Sequence, residues 1–203
     1  MARPAKFKNE DILEATMELF WENGYRGVSI SDIVKATGVL AGSIYGRFGS
    51  KEGVFIECIH HYAKQTEGFW GEAEKAATPL GKIEALFNGI VENSLKPCDR
   101  KGCFVMNAML ELSHQNEQIA AITQSYVQQS EGWIKAQIEE AKRTHELKED
   151  TNSDQLALSL YGIIYGIRGM SKAIDTEERI RAYHKNVLTA LLDPHKTQPL
   201  RGQ

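Results

Sequence analysis

The chain has 203 residues, 42% apolar and 25% charged, and 24 Lys and Arg against 27 Asp and Glu leave a net charge of −3. This is the profile of an ordinary globular protein, and it excludes a disordered polar tail, a collagen-like repeat and a low-complexity tract. Domains that hold nucleic acid are usually basic, so the total charge taken alone argues against such a partner.

Apolar residues recur at helical spacing and no stretch alternates over five or more positions, so the chain reads as all-α. The first helix is predicted over 9–23, with Asn9 as its N-cap, Ile12, Ala15, Leu19 and Phe20 as its buried stripe and Gly24 as its stop. Ser29 and Asp32 have the spacing of a capping box, which starts a short second helix that Gly38 ends. A short third helix covers about 41–48. Ser50 then caps a long fourth helix to about Ala77, where Thr78-Pro79 breaks it. Longer helices follow at 80–96, 102–113, 116–144, 154–173 and 176–192, and the tail from Pro194 is expected to fray.

Residues 1–8 lead into Glu10, Asp11 and Glu14, so no apolar run of signal-peptide type follows. The longest uncharged apolar-rich stretch, between Asp154 and Arg168, holds 13 residues. A bilayer span needs roughly 20. A cytoplasmic protein without membrane contact is therefore expected. Cys58, Cys98 and Cys103 are too few and odd in number for a disulfide framework. Cys58, His60 and His61 do not stack at i, i+4, so no metal is expected, and no cofactor. Catalytic signatures such as Gly-x-Ser-x-Gly, His-Glu-x-x-His, Cys-x-x-Cys or a phosphate-binding glycine loop are missing from the sequence, which points away from an enzyme.

Two short helices joined by a tight turn at Gly38 form a helix-turn-helix pattern. Ile30, Ile33 and Val34 are placed to pack on Ile44 and Phe48, with Leu19 and Phe20 closing the core. Such a unit presents its third helix outward, and small residues at the start of that helix let it enter a major groove. The charge is distributed to suit this. Residues 24–51 carry four basic side chains against Asp32 alone, whereas residues 52–203 carry 17 basic against 21 acidic.

The run Gly24-Tyr25-x-Gly27-Val28-Ser29-Ile30-x-Asp32-Ile33, then Gly38-Val39, then Gly42-Ser43-Ile44-Tyr45-x-x-Phe48-x-Ser50-Lys51-Glu52, resembles the N-terminal domain of the tetracycline-repressor family of transcriptional regulators. The resemblance spans about residues 8–55. It implies a helix-turn-helix DNA-binding domain over 1–52, followed by a helical ligand-binding and dimerisation domain over 53–203. It further implies that Ala41, Gly42, Ser43, Gly46 and Arg47 face bases, that Tyr45 and Lys51 contact phosphates, and that Ser29 is a phosphate-contacting cap. The chemistry agrees: hydroxyl, ammonium and helix-start N–H groups suit phosphate, and Arg47 can donate to guanine O6 and N7 or reach a phosphate instead. The sequence departs from the family at Leu40, where a capping Ser or Thr is common, and at Gly46, where Gly costs up to about 1 kcal/mol of helix stability.

A head this small buries little DNA, so a homodimer with heads about one turn (~34 Å) apart on a palindromic double-stranded operator is expected. Gly162, Gly166 and Gly169 lie on one helix face at i, i+4 and i+7. The resemblance puts the dimer seam there and on Tyr183, Val187 and Leu191 of the last helix; the other reading is that these glycines face the protomer's own core. Phe87, Phe104, Met106, Met109, Leu110, Trp133 and Tyr165 are candidates to line a ligand cavity, or are ordinary core. Cys103 follows Gly102 at a predicted helix start, with Arg100 and Lys101 before it, a setting that activates a thiol. Gly102-Cys103 with Asn107 and Glu111 also resembles the branch of the family that includes electrophile- and oxidant-responsive repressors. An inert buried thiol is the alternative, and Cys98 is a candidate resolving partner. The expected function is a ligand-responsive DNA-binding regulator, a repressor released by a small-molecule inducer or by thiol modification. The other reading is an all-α small-molecule-binding protein that does not bind an operator.

Overall fold

A computed structural model describes residues 8–96, 101–173 and 176–197. Among them the chain forms nine α-helices and no strand: α1 (Asn9–Gly27), α2 (Ile30–Thr37), α3 (Ala41–Phe48), α4 (Lys51–Ala73), α5 (Pro79–Leu95), α6 (Phe104–Leu112), α7 (Glu117–Arg143), α8 (Ser153–Ala173) and α9 (Glu177–Leu192). Two compact units divide them. One comprises residues 1–66 with 104–123, the other residues 67–103 with 124–203.

In the first unit α1 buries Ile12, Thr16, Met17 and Phe20. This stripe is wider than the expected one, and Ala15 and Leu19 are only half-buried. The reason is that α1 packs against both α2 and α6, so two adjacent faces lose water. Asn9 is not the N-cap. Lys8 occupies that position and no side chain caps the helix. Gly24 breaks α1 as expected, with φ +71° and ψ 167°, but one more helical turn follows it to Gly27. That conformation is essentially restricted to glycine. Phe55 is the centre of an aromatic cluster, with ring centroids 4.9 Å from Phe20, 5.0 Å from Tyr25 and 5.4 Å from Phe104.

In the second unit Thr78 caps α5 by accepting from the Gly81 N–H at 3.1 Å, and Pro79 takes the first helical turn, where its missing N–H costs nothing. Helix α4 stops at Ala73, short of Ala77, because the N–H groups of Lys75 and Ala76 turn back to carbonyls three residues earlier. Gly102 has φ +84°, which a helix interior excludes, so α6 starts at Phe104 and not at 102. Asn152 Oδ1 accepts from Gln155 N at 3.1 Å and caps α8. Helices α5, α8 and α9 pack around Phe87, Ile90, Leu160, Ile163, Ile167, Ile180 and Leu188, all buried. The tail does not fray where it is described. Residues 193–195 form a 3₁₀ turn, Lys148 N donates to His195 O at 2.8 Å and Thr197 N to Glu146 O at 3.1 Å. The loop backbone at 146–148 supplies these partners, which the sequence pattern does not reveal.

His184 is buried on α9, stacked at 6.2 Å on Phe87, and its Nε2 has no hydrogen-bond partner. Burial, and then the Arg181 guanidinium, hold its pKa below the usual histidine value. The folded chain therefore binds this proton more weakly than the unfolded chain, whose histidines titrate near pH 6.5 (about). Stability from this site is complete above that pH and is lost as the pH falls below it. Urea unfolding of wild type and His184→Leu between pH 7.5 and 5 should show a steeper decline for wild type. Parallel curves would remove His184 as the cause.

Candidate nucleic-acid interface

The turn that aims α3 is built locally. Ser29 Oγ accepts from Asp32 N at 3.2 Å and Ser29 N donates to Asp32 Oδ2 at 3.0 Å, completing the capping box. The Ser29 bonds, with Lys35 at 3.6 Å adding less, lower the Asp32 pKa. At the other end Gly38 takes the left-handed conformation, φ +69°, and its N–H bonds Val34 O at 2.9 Å. Only glycine does this without strain. Ile33 and Ile44 are fully buried and lock α2 against α3, whereas Ile30 and Val34 are half-buried.

Ile44 is the sole fully buried residue of α3, and Phe48 is half-buried. Ala41, Gly42, Ser43, Tyr45, Gly46 and Arg47 are all exposed, with Tyr45 at 49%. Nothing lies within 4 Å of where a Cβ on Gly42 or Gly46 would stand. Leu40 precedes the helix without capping it and is 75% exposed. The face is thus low in relief and open, with one hydroxyl, one phenol and one guanidinium.

Two of the expected contact residues are already engaged. Arg47 Nη1 donates to Asn9 Oδ1 at 2.6 Å. Asn9 therefore acts as an acceptor across helices and not as a cap. Lys51 Nζ stands 4.2 Å from the centre of the Tyr25 ring. Partial burial lowers the Lys51 pKa, an effect that Glu111 opposes. Burial, then Glu52 and Glu111, raise that of Tyr25. Ser50 Oγ accepts from Gly53 N at 3.0 Å and caps α4 beside Lys51.

A further contact was not foreseen. The turn after Gly24 begins with unpaired N–H groups, and the Glu111 carboxylate of α6 takes them, accepting from Tyr25 N at 2.9 Å and from Arg26 N at 3.1 Å. Arg26 also donates to Gln115. An anion at a helix start is favourable. The available signal was a glycine stop followed at once by a second short helical stretch without a Ser, Thr, Asp or Asn cap of its own.

The other expected sites divide between the two units. Phe104 packs in the first unit against Trp21, Phe55 and Tyr62, with Met106 buried and Met109 half-buried on the same helix. Phe87, Cys103, Trp133 and Tyr165 belong to the second. There Trp133 stands edge-on to Trp70 at 5.1 Å and donates to Glu74 Oε1 at 2.7 Å. Cys103 is half-exposed; burial raises the Tyr161 and Tyr165 phenol pKa values most, the Tyr165 hydroxyl 3.2 Å away raises that of Tyr161 next, and the Cys103 thiol adds less. Cys58 is buried, its thiol pKa pushed well up by desolvation. Cys98 lies outside the described residues. Of the three glycines on α8, Gly162 and Gly169 have open space over them, whereas the Tyr183 hydroxyl stands 2.5 Å from a Cβ position on Gly166. Tyr183, Val187 and Leu191 are partly buried against the unit's own core. Among the described residues there is no metal-binding cluster, and no helix is long and apolar enough to cross a membrane.

Comparison with known proteins agrees with this geometry. Residues 12–58 match the profile of bacterial regulatory proteins of the tetR family, and residues 79–187 that of the tetracyclin repressor-like C-terminal domain. The chain is 31% identical over 123 residues to the transcriptional repressor ComR of Escherichia coli, covering 58% of this chain and 57% of that protein. It is 25% identical over 197 residues to the uncharacterised regulator YezE of Bacillus subtilis, covering 95% of this chain and 100% of that one. The structure of the regulator CifR, a cysteine mutant complexed with a 26-base-pair double-strand operator, superposes with a TM-score of 0.84 at 25% identity, covering 93% of this chain and 99% of CifR. A regulator from Chloroflexus aurantiacus gives the same TM-score at 20% identity, over 93% and 96% of the two chains, and is alike in fold. The two profiles together take in both the helix-turn-helix and most of the helical body: the chain belongs to the tetracycline-repressor family of transcriptional regulators.

Proposed function

We propose that this regulator binds a palindromic double-stranded operator as a cytoplasmic homodimer, and represses until a small molecule or thiol modification releases it. One observation carries the reading: six of the eight α3 side-chain positions face solvent, while Ile44 pins the helix to its scaffold. Residues 1–52 form the reading head and residues 53–203 the ligand-binding and dimerisation domain. Ser43 and Arg47 read bases, with Ala41, Gly42 and Gly46 letting the helix approach closely. Arg47 exchanges Asn9 for its DNA partner on docking. Tyr45, Lys51 and the α2 start at Ser29 hold phosphates.

The dimer seam is the exposed side of α8, where Leu158 is 60% exposed and Gly162 and Gly169 carry nothing above them. Gly166 packs under Tyr183 of the same chain, so its absent side chain serves the protomer first. Release is a population shift: an inducer acts only through its affinity difference for the two arrangements of the heads. Helix α4 is the covalent lever, since its residues belong to both compact units. Cys103, half-exposed one residue before α6, is the thiol on which modification would act.

Gel shifts on the DNA upstream of the gene test the reading. Tyr45→Phe and Lys51→Ala should weaken binding to all sequences alike. Lys51→Ala should also reduce the slope of log affinity against log salt by about 1. Unchanged affinity and slope in both variants would overturn the docking.

A further inference from the structure

Helix α8 carries a cation in its core-facing register. Arg168 continues the buried stripe of Leu160, Ile163 and Ile167 and is 96% buried, at 4% relative exposure. A guanidinium has five N–H donors and is always charged. Here one of them is used on a protein side chain: Nη1 donates to Asn93 Oδ1 of α5 at 2.7 Å. The guanidinium carbon lies 5.8 Å from the centre of the Phe69 ring. Among the described residues no carboxylate stands within ion-pair distance of it. The exposed Arg181 of α9 is unlike this and grips both Glu92 and Glu177.

Burying a charge without a counter-ion is costly. Among the described residues, the site is short of an anion. Its surroundings suit one. Tyr161 and Tyr165 lie on the same α8 stripe, at i−7 and i−3 from Arg168, with their hydroxyls 3.2 Å apart. Lys172, one turn on, lays its stem 3.1 Å from the Cβ position of Gly102. The apolar side is aromatic: the Phe69 ring lies 3.5 Å from where a Cβ on Gly89 of α5 would stand, and Trp70 follows it.

We infer that Arg168, positioned by Asn93, is the anchor for the carboxylate of a small organic acid whose apolar body packs on Phe69 and the neighbouring aromatic rings. The guanidinium fork matches a carboxylate in two parallel hydrogen bonds. Tyr161 and Tyr165 offer hydroxyl donors to the same group or to a polar substituent beside it. The inference deepens the ligand-responsive reading above by naming the chemical class of the inducer, and it rests on that reading only for its regulatory consequence.

The test uses the full chain without DNA, so a failure of operator binding in gel shifts leaves its outcome untouched. Isothermal calorimetry compares 3-phenylpropanoate and octanoate with their primary amides, which share the body and lack the charge. The acids should bind about tenfold tighter than the amides, the worth of one charge-assisted contact. Arg168→Gln should bring that ratio to about one and leave the amides unchanged. If Arg168→Gln does not fold, Arg168→Lys, which keeps the charge and loses the fork, should reduce the ratio several-fold, as should Asn93→Ala. Three results overturn the inference: neither acid binds below about 1 mM, acid and amide bind alike, or the ratio survives both arginine substitutions. A purely structural Arg168 would lower the melting temperature on substitution and leave the ratio where it was.

Discussion

Truncating Phe55 to alanine is expected to cost about 3–5 kcal/mol, the usual range for a buried Phe in a core that cannot collapse around the gap. The ring is 2% exposed and meets Phe20 edge-on, Tyr25 obliquely and Phe104 at a tilt, so three helices lose contacts at once. Edge-to-face aromatic pairs add about 0.5–1.5 kcal/mol each beyond buried area. The loss should appear in urea unfolding as a lower midpoint with little change in slope. Phe55→Leu, which keeps most of the volume, should recover more than half of it. A loss below about 1 kcal/mol for Phe55→Ala would mean that the cluster repacks freely and is not the keystone of the first unit. The consequence for function is direct, because Tyr25 carries the Lys51 ammonium on its other contact.

Gly24→Ala is expected to destabilise the same unit by two separable routes. The backbone at φ +71° and ψ 167° is in a region that side chains enter at about 1–3 kcal/mol. The new methyl would also stand 3.1 Å from a Glu111 oxygen, displacing the carboxylate that accepts from Tyr25 N and Arg26 N. Leaving those donors unmet costs about 1–3 kcal/mol more. Glu111→Ala removes the second route alone. In the double variant the glycine substitution should therefore cost less than it does singly, a coupling readable from a double-mutant cycle. Simple additivity would show that Glu111 is not displaced. Both variants should weaken operator binding further than their stability loss explains, since Arg26 and Lys51 flank the turn.

Much of the head was legible because its instructions are local. A capping box at Ser29 and Asp32, a turn glycine at Gly38 and apolar residues three and four apart leave one way to arrange α2 and α3, and their ends fall where the residues require. The exposed face of α3 followed for the same reason, since Ile44 alone continues the buried period. The total charge of −3 misled until it was divided along the chain, because phosphate attraction is screened over a Debye length of about 10 Å and depends on the nearest charges.

Contacts between distant segments were not legible. The buried Thr16 and Met17 reflect α1 packing on two neighbours, and the pinned tail depends on carbonyls some fifty residues earlier. Arg47 on Asn9 is of the same kind. Gly166 looked like one of three equal glycines, but only at that position does a tyrosine from the next helix stand in the space of the side chain.

By itself the sequence determined the helices, the helix-turn-helix and the family, because caps, turn glycines and periodicity act within about one helical turn of where they stand. Only the tertiary structure decided what the charged and polar side chains do. Glu111 became a cap for a turn of α1, Arg168 became a buried cation with no carboxylate in reach among the described residues, and Tyr161 came within 3.2 Å of Tyr165. Electrostatic partners are chosen by distance through space, and burial sets the strength of each interaction; neither quantity is written in sequence separation.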